Sequence, residues 1–254
     1  MTKPLVVANW KMNMTVPQAE GFCSRLKALW QDDLAAEVVI CPPFPALHAV
    51  KNSLAGTGVK LGAQNFFPKP PGAYTGEVSI DMLQALGCEY VIVGHSERRT
   101  LFAETAETIS EKVLTAVDAQ VTPILCVGET MSERSLGLTS RVIGQQLLTC
   151  LKHLQPEQLG QVVVAYEPLW AIGSGRAATA QDAKQVAEYS RQKLQLLRDG
   201  EMFSLRVLYG GSVNPENMPE FAAQRQVDGV LVGGASLDPD KLMAIAKAYG
   251  RKQA

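Results

Sequence analysis

Residues 162–175 read V-V-V-A-Y-E-P-L-W-A-I-G-S-G, and their first part is the β-branched and aromatic run of a buried parallel strand. Glu167 ends that run and Pro168 forbids its continuation, so a carboxylate is left at the rim of a sheet. Leu169, Trp170, Ala171 and Ile172 then lead into Gly173-Ser174-Gly175, an apolar segment with a flexible tip that reads as a lid beside the carboxylate. Taken alone, the same residues also suit a core strand that ends in a solvated Glu and a packed turn. The rest of the chain decides between the two.

Seven more short apolar runs resemble Val162 to Glu167: Leu5 to Trp10, Glu37 to Ile40, Lys60 to Gln64, Tyr90 to Gly94, Thr122 to Val127, Leu205 to Tyr209 and Gly229 to Val232. Between them, apolar residues recur at three- and four-residue spacings, as in Pro17 to Trp30, Ile80 to Leu86, Ala106 to Ala119, Val142 to Leu151, Ala183 to Leu197 and Pro239 to Tyr249. Strict alternation of strand and helix argues for parallel βαβ units. Eight such units in 254 residues predict an α/β fold of the closed (β/α)8 barrel type rather than an open doubly wound sheet. No linker, low-complexity tract or charge run divides the chain, so residues 1–254 are expected to form a single domain.

Composition narrows the function. Hydrophobic residues make up 46% and charged residues 19%, and a formal net charge of -1 provides no basic field for nucleic acid or an anionic membrane. The five cysteines form no C-x-x-C pair or cluster, which fits reduced thiols in a cytoplasmic protein and indicates neither a metal site nor a disulfide framework. The start, Met1-Thr2-Lys3-Pro4, lacks an apolar signal core, and no run approaches ~18 consecutive apolar residues.

In a barrel the chemistry belongs at the C-terminal strand ends, so the candidates can be read off directly. They are Asn9 and Lys11 after the first strand, His95 after the fourth, Glu167 after the sixth, Ser212 after the seventh, and Gly233 with Gly234 after the eighth. Alone, Lys11 reads as a surface lysine. With Asn9 two residues earlier on an extended backbone, both would face one oxyanion. His95 alone suits a satisfied buried histidine. However, Ser96 is a good N-cap followed by Glu97, which puts the ring at a helix start where the dipole disfavours imidazolium. Arg98 and Arg99 are expected to be structural. The glycine loops at 173–175, 210–212 and 233–234 suit a phosphate gripped by backbone N–H groups, and none completes a nucleotide-binding pattern. A small phosphorylated metabolite is implied.

N-W-K at 9–11, A-Y-T-G-E at 73–77, V-G-H-S-E-R-R at 93–99, C-V-G-E at 126–129, Y-E-P-L-W-A-I-G at 166–173, Y-G-G-S-V at 209–213 and V-G-G-A-S-L at 232–237 closely resemble the triosephosphate isomerase family, in order and over nearly the full length. The resemblance implies a TIM barrel that interconverts dihydroxyacetone phosphate and glyceraldehyde 3-phosphate through an enediolate, without metal or organic cofactor. It gives Glu167 the role of base, His95 that of neutral electrophile, Lys11 that of stabilising cation and Asn9 that of neighbouring donor. Glu97 would stand close to Lys11, and Cys126 would be a buried thiol behind the base. Gly173, Ser212, Gly233 and Gly234 would contact the phosphate.

The resemblance further implies a homodimer in which Tyr74 to Glu77 reach a second subunit near its Lys11. Met14 stands where the family more often has glycine, and Leu169, Ser174 and Arg176-Ala177-Ala178 depart from the usual lid residues. Two competing readings are another phosphate-binding barrel isomerase or synthase, and a non-catalytic binder on the same scaffold.

Overall fold

The computed structural model describes residues 3–171, 178–196 and 203–250. Its elements run β1 (Leu5–Asn9), α1 (Val16–Leu29), β2 (Glu37–Cys41), α2 (Leu47–Ser53), β3 (Lys60–Ala63), α3 (Ile80–Ala85), β4 (Tyr90–Val93), α4 (Ser96–Leu101), α5 (Ala106–Asp118), β5 (Thr122–Val127), α6 (Met131–Ser135), α7 (Thr139–Leu151), β6 (Val163–Tyr166), α8 (Ala180–Leu196), β7 (Arg206–Tyr209), α9 (Met218–Ala222), β8 (Gly229–Val232) and α10 (Pro239–Lys247). Each strand pairs in parallel with the next, and β8 pairs with β1, which closes the barrel. Two of the expected strands, Thr122–Val127 and Gly229–Val232, have the expected ends. The others differ by one residue at an end, or at both ends in β6: at β1 the apolar Trp10 continues the pattern after the ladder has ended, whereas β2 runs one residue further, to Cys41.

The period of two along each strand sorts the side chains into two cores. Leu5, Val7, Val39, Ile92, Ile124, Val163, Ala165, Leu208 and Leu231 fill the barrel interior, whereas Val6, Ala8, Val38, Val91, Val164 and Val230 pack outward with the helices. Alternation therefore carries the inward face on to Asn9 after Leu5 and Val7, to Glu167 after Val163 and Ala165, to Gly210 after Leu208, and to Gly233 after Leu231.

At the opposite end the interior is stopped by polar side chains. The Tyr90 hydroxyl donates to Glu37, and Arg206 Nη2 donates to that hydroxyl at 3.0 Å. Burial, aided by Glu37, pushes the Tyr90 hydroxyl up to about 12, so it stays protonated as a donor. No helix among the described residues is long and apolar enough to cross a membrane.

Ring closure depends on a residue without a side chain. Gly229 sits opposite Leu5 in the seam, and a Cβ there would overlap the Leu5 carbonyl and lie 2.8 Å from the Leu5 nitrogen. Backbone cannot yield as a flexible side chain would. Gly229→Ala is accordingly expected to lower stability by about 3 kcal/mol or more. A cooperative thermal transition within a few degrees of the parent would show that the seam has slack this geometry denies.

Candidate active site

Asn9, Lys11, His95, Glu167, Ser212, Gly233 and Gly234 line one cavity of about 310 Å³ at the C-terminal mouth, with Gly210, Gly211 and Leu231 among its other walls. Seven of the eight residues singled out in the sequence thus meet in one place. Gly173 lies outside the described residues, as do the lid tip and Ala177. Leu231 was not foreseen as a site residue, although its inward parity after a buried glycine signals an apolar wall facing the mouth.

Glu167 directly follows β6 and is buried, with 2% of its surface exposed. Its N–H continues the ladder by donating to Val127 O at 2.7 Å, and its carboxylate rests on two donors. Oε2 accepts from the Ser96 N–H at 2.9 Å, and Oε1 lies 2.8 Å from His95 Nε2. Burial pushes the Glu167 carboxyl up, but His95, the Ser96 N–H and Lys11 together bring it below the ordinary carboxylate value. The wall facing the carboxylate stem is Gly210, where a Cβ would come within 2.9 Å of Glu167 Cγ. Glycine there leaves the side chain room to turn.

The helix start at His95 differs from the expected one. The N-cap of α4 is His95 itself, not Ser96, with Nδ1 accepting the Glu97 N–H at 3.2 Å. Burial pushes the His95 pKa down, and the Glu167 carboxylate, with help from Glu97, outweighs it and raises the value. The rise lasts only while Glu167 rests on the ring. A nitrogen that accepts an amide N–H carries no proton, so we assign a neutral ring whose single proton sits on Nε2 and is donated to Glu167. The neutral state expected from the helix dipole therefore stands on a specific hydrogen bond.

Lys11 corrects a second expectation. It does not continue an extended strand beside Asn9. β1 ends at Asn9, and Lys11 adopts the left-handed region with φ 54°. Its N–H donates to Asn9 Oδ1 at 3.0 Å, while Gln64 Nε2 donates to its carbonyl at 2.8 Å. Its Nζ donates to Glu97 Oε1 at 2.6 Å, the proximity that the family resemblance implied. Asn9 and Lys11 still share the cavity, by a turn that aims the lysine stem at Gly233.

The supporting residues fall where they were expected. Arg99 spans two strand ends, donating from Nε to Gly94 O at 2.7 Å and from Nη2 to Cys126 O at 3.0 Å. Arg98 Nε lies 3.4 Å from Glu104 Oε2. Cys126 is buried, and burial together with the nearby Glu167 carboxylate pushes its thiol well above the ordinary value. It is thus held as a protonated, inert packing group. After β8 the chain makes a short 3-10 turn, Gly234–Leu237, whose Ser236 N–H and hydroxyl both donate to Gly233 O.

This arrangement can remove a proton from carbon with one carboxylate while a neutral N–H and an ammonium face the oxygen that gains charge. Comparison with known proteins agrees. The family described as "Triosephosphate isomerase" matches residues 4–249. Proteins named triosephosphate isomerase from Moorella thermoacetica and Symbiobacterium thermophilum are each 47% identical to the chain, the first over 96% of this chain and 98% of that protein, the second over 100% of both. One from Aquifex aeolicus is 45% identical over 96% of this chain and 99% of its own length. With the barrel, the converging rim residues and relatives that match end to end, the chain belongs to the triosephosphate isomerase family.

Proposed function

We propose that this chain is an aldose-ketose isomerase of glycolysis and gluconeogenesis that interconverts dihydroxyacetone phosphate and D-glyceraldehyde 3-phosphate, with Glu167, His95, Lys11 and Asn9 as its catalytic residues. The observation that carries the reading is the 2.8 Å contact of Glu167 with His95 Nε2 in a cavity that also holds Lys11, Ser212, Gly233 and Gly234. At rest the carboxylate occupies the N–H that a substrate oxygen needs. When that oxygen takes the N–H, Glu167 loses a hydrogen bond that holds its pKa down. Burial then works unopposed by that donor, so the carboxylate becomes a stronger base as substrate arrives.

The proton balance closes within the substrate. Glu167 takes a proton from the carbon next to the carbonyl, and Nε2–H donates to the carbonyl oxygen as charge develops there. Lys11 and Asn9 stabilise the enediolate; His95 Nε2, having given its proton to the former carbonyl oxygen, takes back the proton of the neighbouring hydroxyl, and return of the carbon-bound proton from Glu167 to the adjacent carbon gives the isomer with both residues restored. No electrons enter or leave, so the scheme needs no cofactor. The phosphate is assigned to Ser212 and the N–H groups of Gly233 and Gly234, with Gly173 added from the family resemblance.

Residues 1–254 are taken to act as one domain, cytoplasmic and paired as a homodimer. A second cavity of about 320 Å³ adjoins the first and is walled by Met12, Phe44, Gln64, Glu97 and Phe102. Met12 and Phe102 are strongly exposed, as is Tyr74 on the projecting third loop. Apolar exposure on this scale beside a catalytic lysine suits burial by the Tyr74 to Glu77 segment of a second copy.

The first test is isomerase activity on glyceraldehyde 3-phosphate. Glu167→Gln should lower kcat by roughly 10²–10⁴-fold with only a modest change in KM, because proton abstraction acts in the transition state. Near-normal turnover would take the base role away from Glu167. The acid limb of kcat/KM should fall below the ordinary carboxylate value, and His95→Ala should move it to higher pH, since the burial that raises the Glu167 pKa loses its main opponent. A limb that stayed in place would mean that His95 does not tune the base. Removal of Tyr74 to Glu77 should give monomers of depressed activity in sedimentation; a persisting dimer would refute this interface.

A further inference from the structure

Successive backbone groups of a strand face opposite edges, so each strand end leaves donors and acceptors on two sides. At the end of β5, Val127 faces β6 and accepts the Glu167 N–H at 2.7 Å, which turns Cys126 and Gly128 to the other edge. The neighbour on that edge is β4, whose pairing stops at Val93 opposite Leu125. Two side chains stand in for the missing strand. Arg99 Nη2 donates to Cys126 O at 3.0 Å. The Gln146 amide then takes both groups of Gly128: Nε2 donates to Gly128 O at 2.9 Å, and Oε1 accepts the Gly128 N–H at 2.9 Å. A primary amide presents a donor and an acceptor side by side, as a strand does, and an acid or an amine of the same length cannot.

Gly128 is also the residue on which the backbone of Glu167 bears. A Cβ there would overlap the Glu167 carbonyl and lie 2.8 Å from Leu169 Cδ1. The chain around the carboxylate is thus held on one side by three consecutive residues: Val127 O takes the Glu167 N–H, Gly128 packs on the Glu167 carbonyl, and Glu129 O accepts the Leu169 N–H at 3.1 Å. Gln146 holds the middle one. Its helix, α7, is seated by the buried Ile143, Leu147 and Cys150, so the amide is borne on a fixed element and not on a loop.

We propose that Gln146 is a positioning residue for the base, fixing through Gly128 the backbone of Glu167 and with it the place at which the carboxylate meets the substrate carbon. The proposal rests on the function proposed above. Gln146 lies outside the catalytic cavity, and its two bonds go to Gly128 and to none of the groups assigned to proton transfer. The groups assigned to the phosphate, Ser212, Gly233 and Gly234, follow β7 and β8, neither of which borders β5. A fault at Gly128 therefore reaches the base before it reaches the phosphate seat.

The test separates proton abstraction from ligand seating. Turnover of glyceraldehyde 3-phosphate gives kcat, while competitive inhibition by glycerol 3-phosphate, which carries a phosphate but no carbonyl, reports binding without proton transfer. Gln146→Leu removes both bonds to Gly128 and should lower kcat roughly ten- to a hundredfold, the scale of a small misplacement, with the inhibition constant changed by less than about threefold. Gln146→Glu still accepts the Gly128 N–H but sets an oxygen without a proton against the Gly128 carbonyl. It should show the same split, and it decides the matter if Gln146→Leu does not fold. A smaller fall in kcat in the folded variants, or an inhibition constant that rises in step with the fall, would overturn the proposal. A parent chain inert towards glyceraldehyde 3-phosphate would instead refute the function on which it rests, so the two failures are distinguishable.

Discussion

The contact between the Glu167 carboxylate and His95 Nε2 is the interaction around which this molecule is arranged. A carboxylate exposed to only 2% of its surface would ordinarily be driven to protonate. Here two N–H donors, one from the ring and one from the Ser96 backbone, keep it ionised. The donors are the N-cap and the first residue of α4, so the charge on one strand end depends on a helix start two strands away in the ring. The dependence is mutual. The ring is turned toward Glu167 because its other nitrogen is engaged by the Glu97 N–H. A neutral imidazole with one proton on Nε2 is the form that can polarise a carbonyl and later take a proton back, and the Glu97 N–H on one nitrogen with the Glu167 carboxylate on the other selects it.

Barrel geometry makes the convergence possible and also demands clearance. Parallel pairing places all eight strand ends at one mouth, and the two-residue period sends alternate positions inward there. Beside the Glu167 side chain, the neighbouring inward position is Gly210. Behind it, a Cβ at Gly128 would overlap the Glu167 carbonyl. These glycines mark where the chain passes too close to the backbone and side-chain stem of Glu167 to carry any side chain. Stability is thereby given up locally in exchange for room at the site, while the two apolar cores on either side of the sheet supply the compensation.

The parts of this design that repeat with a period were legible in the sequence. Strand alternation located the barrel and its rim, and Pro168 marked the end of β6 next to Glu167. Parts set by a single dihedral or by contacts across the ring were not. Nothing in N-W-K announces that Lys11 takes a positive φ, and the Ser96-Glu97 pair looks like a better helix start than His95 until the ring is seen to cap. Gln146 gave no signal either, because its pairing with Gly128 spans 18 residues and uses a helix side chain to close a strand edge. Met14 is intermediate. Its φ of 71° explains why glycine suits that place better, a cost the sequence could show only as a departure from the family.

The strain at Lys11 has a purpose that magnitudes make plain. A left-handed backbone at a residue other than glycine costs ~1–2 kcal/mol, and here the Asn9 side chain and the Gln64 amide each contribute a hydrogen bond that offsets it. The turn carries the lysine stem to within 3.4 Å of where a Gly233 Cβ would stand, so the ammonium spans from Glu97 to the glycine loop. Its pair with Glu97 is partly exposed, at 32% and 41% of the two side chains, and pairs of that kind contribute only ~0.2–1 kcal/mol. So weak a partner keeps the ammonium oriented without binding it firmly. In the proposed function, an incoming dianion of higher charge takes its share of the ammonium without first breaking a strong bond. A buried, fully satisfied lysine would have been better for the fold and worse for the site, since its charge would already be spent on the protein.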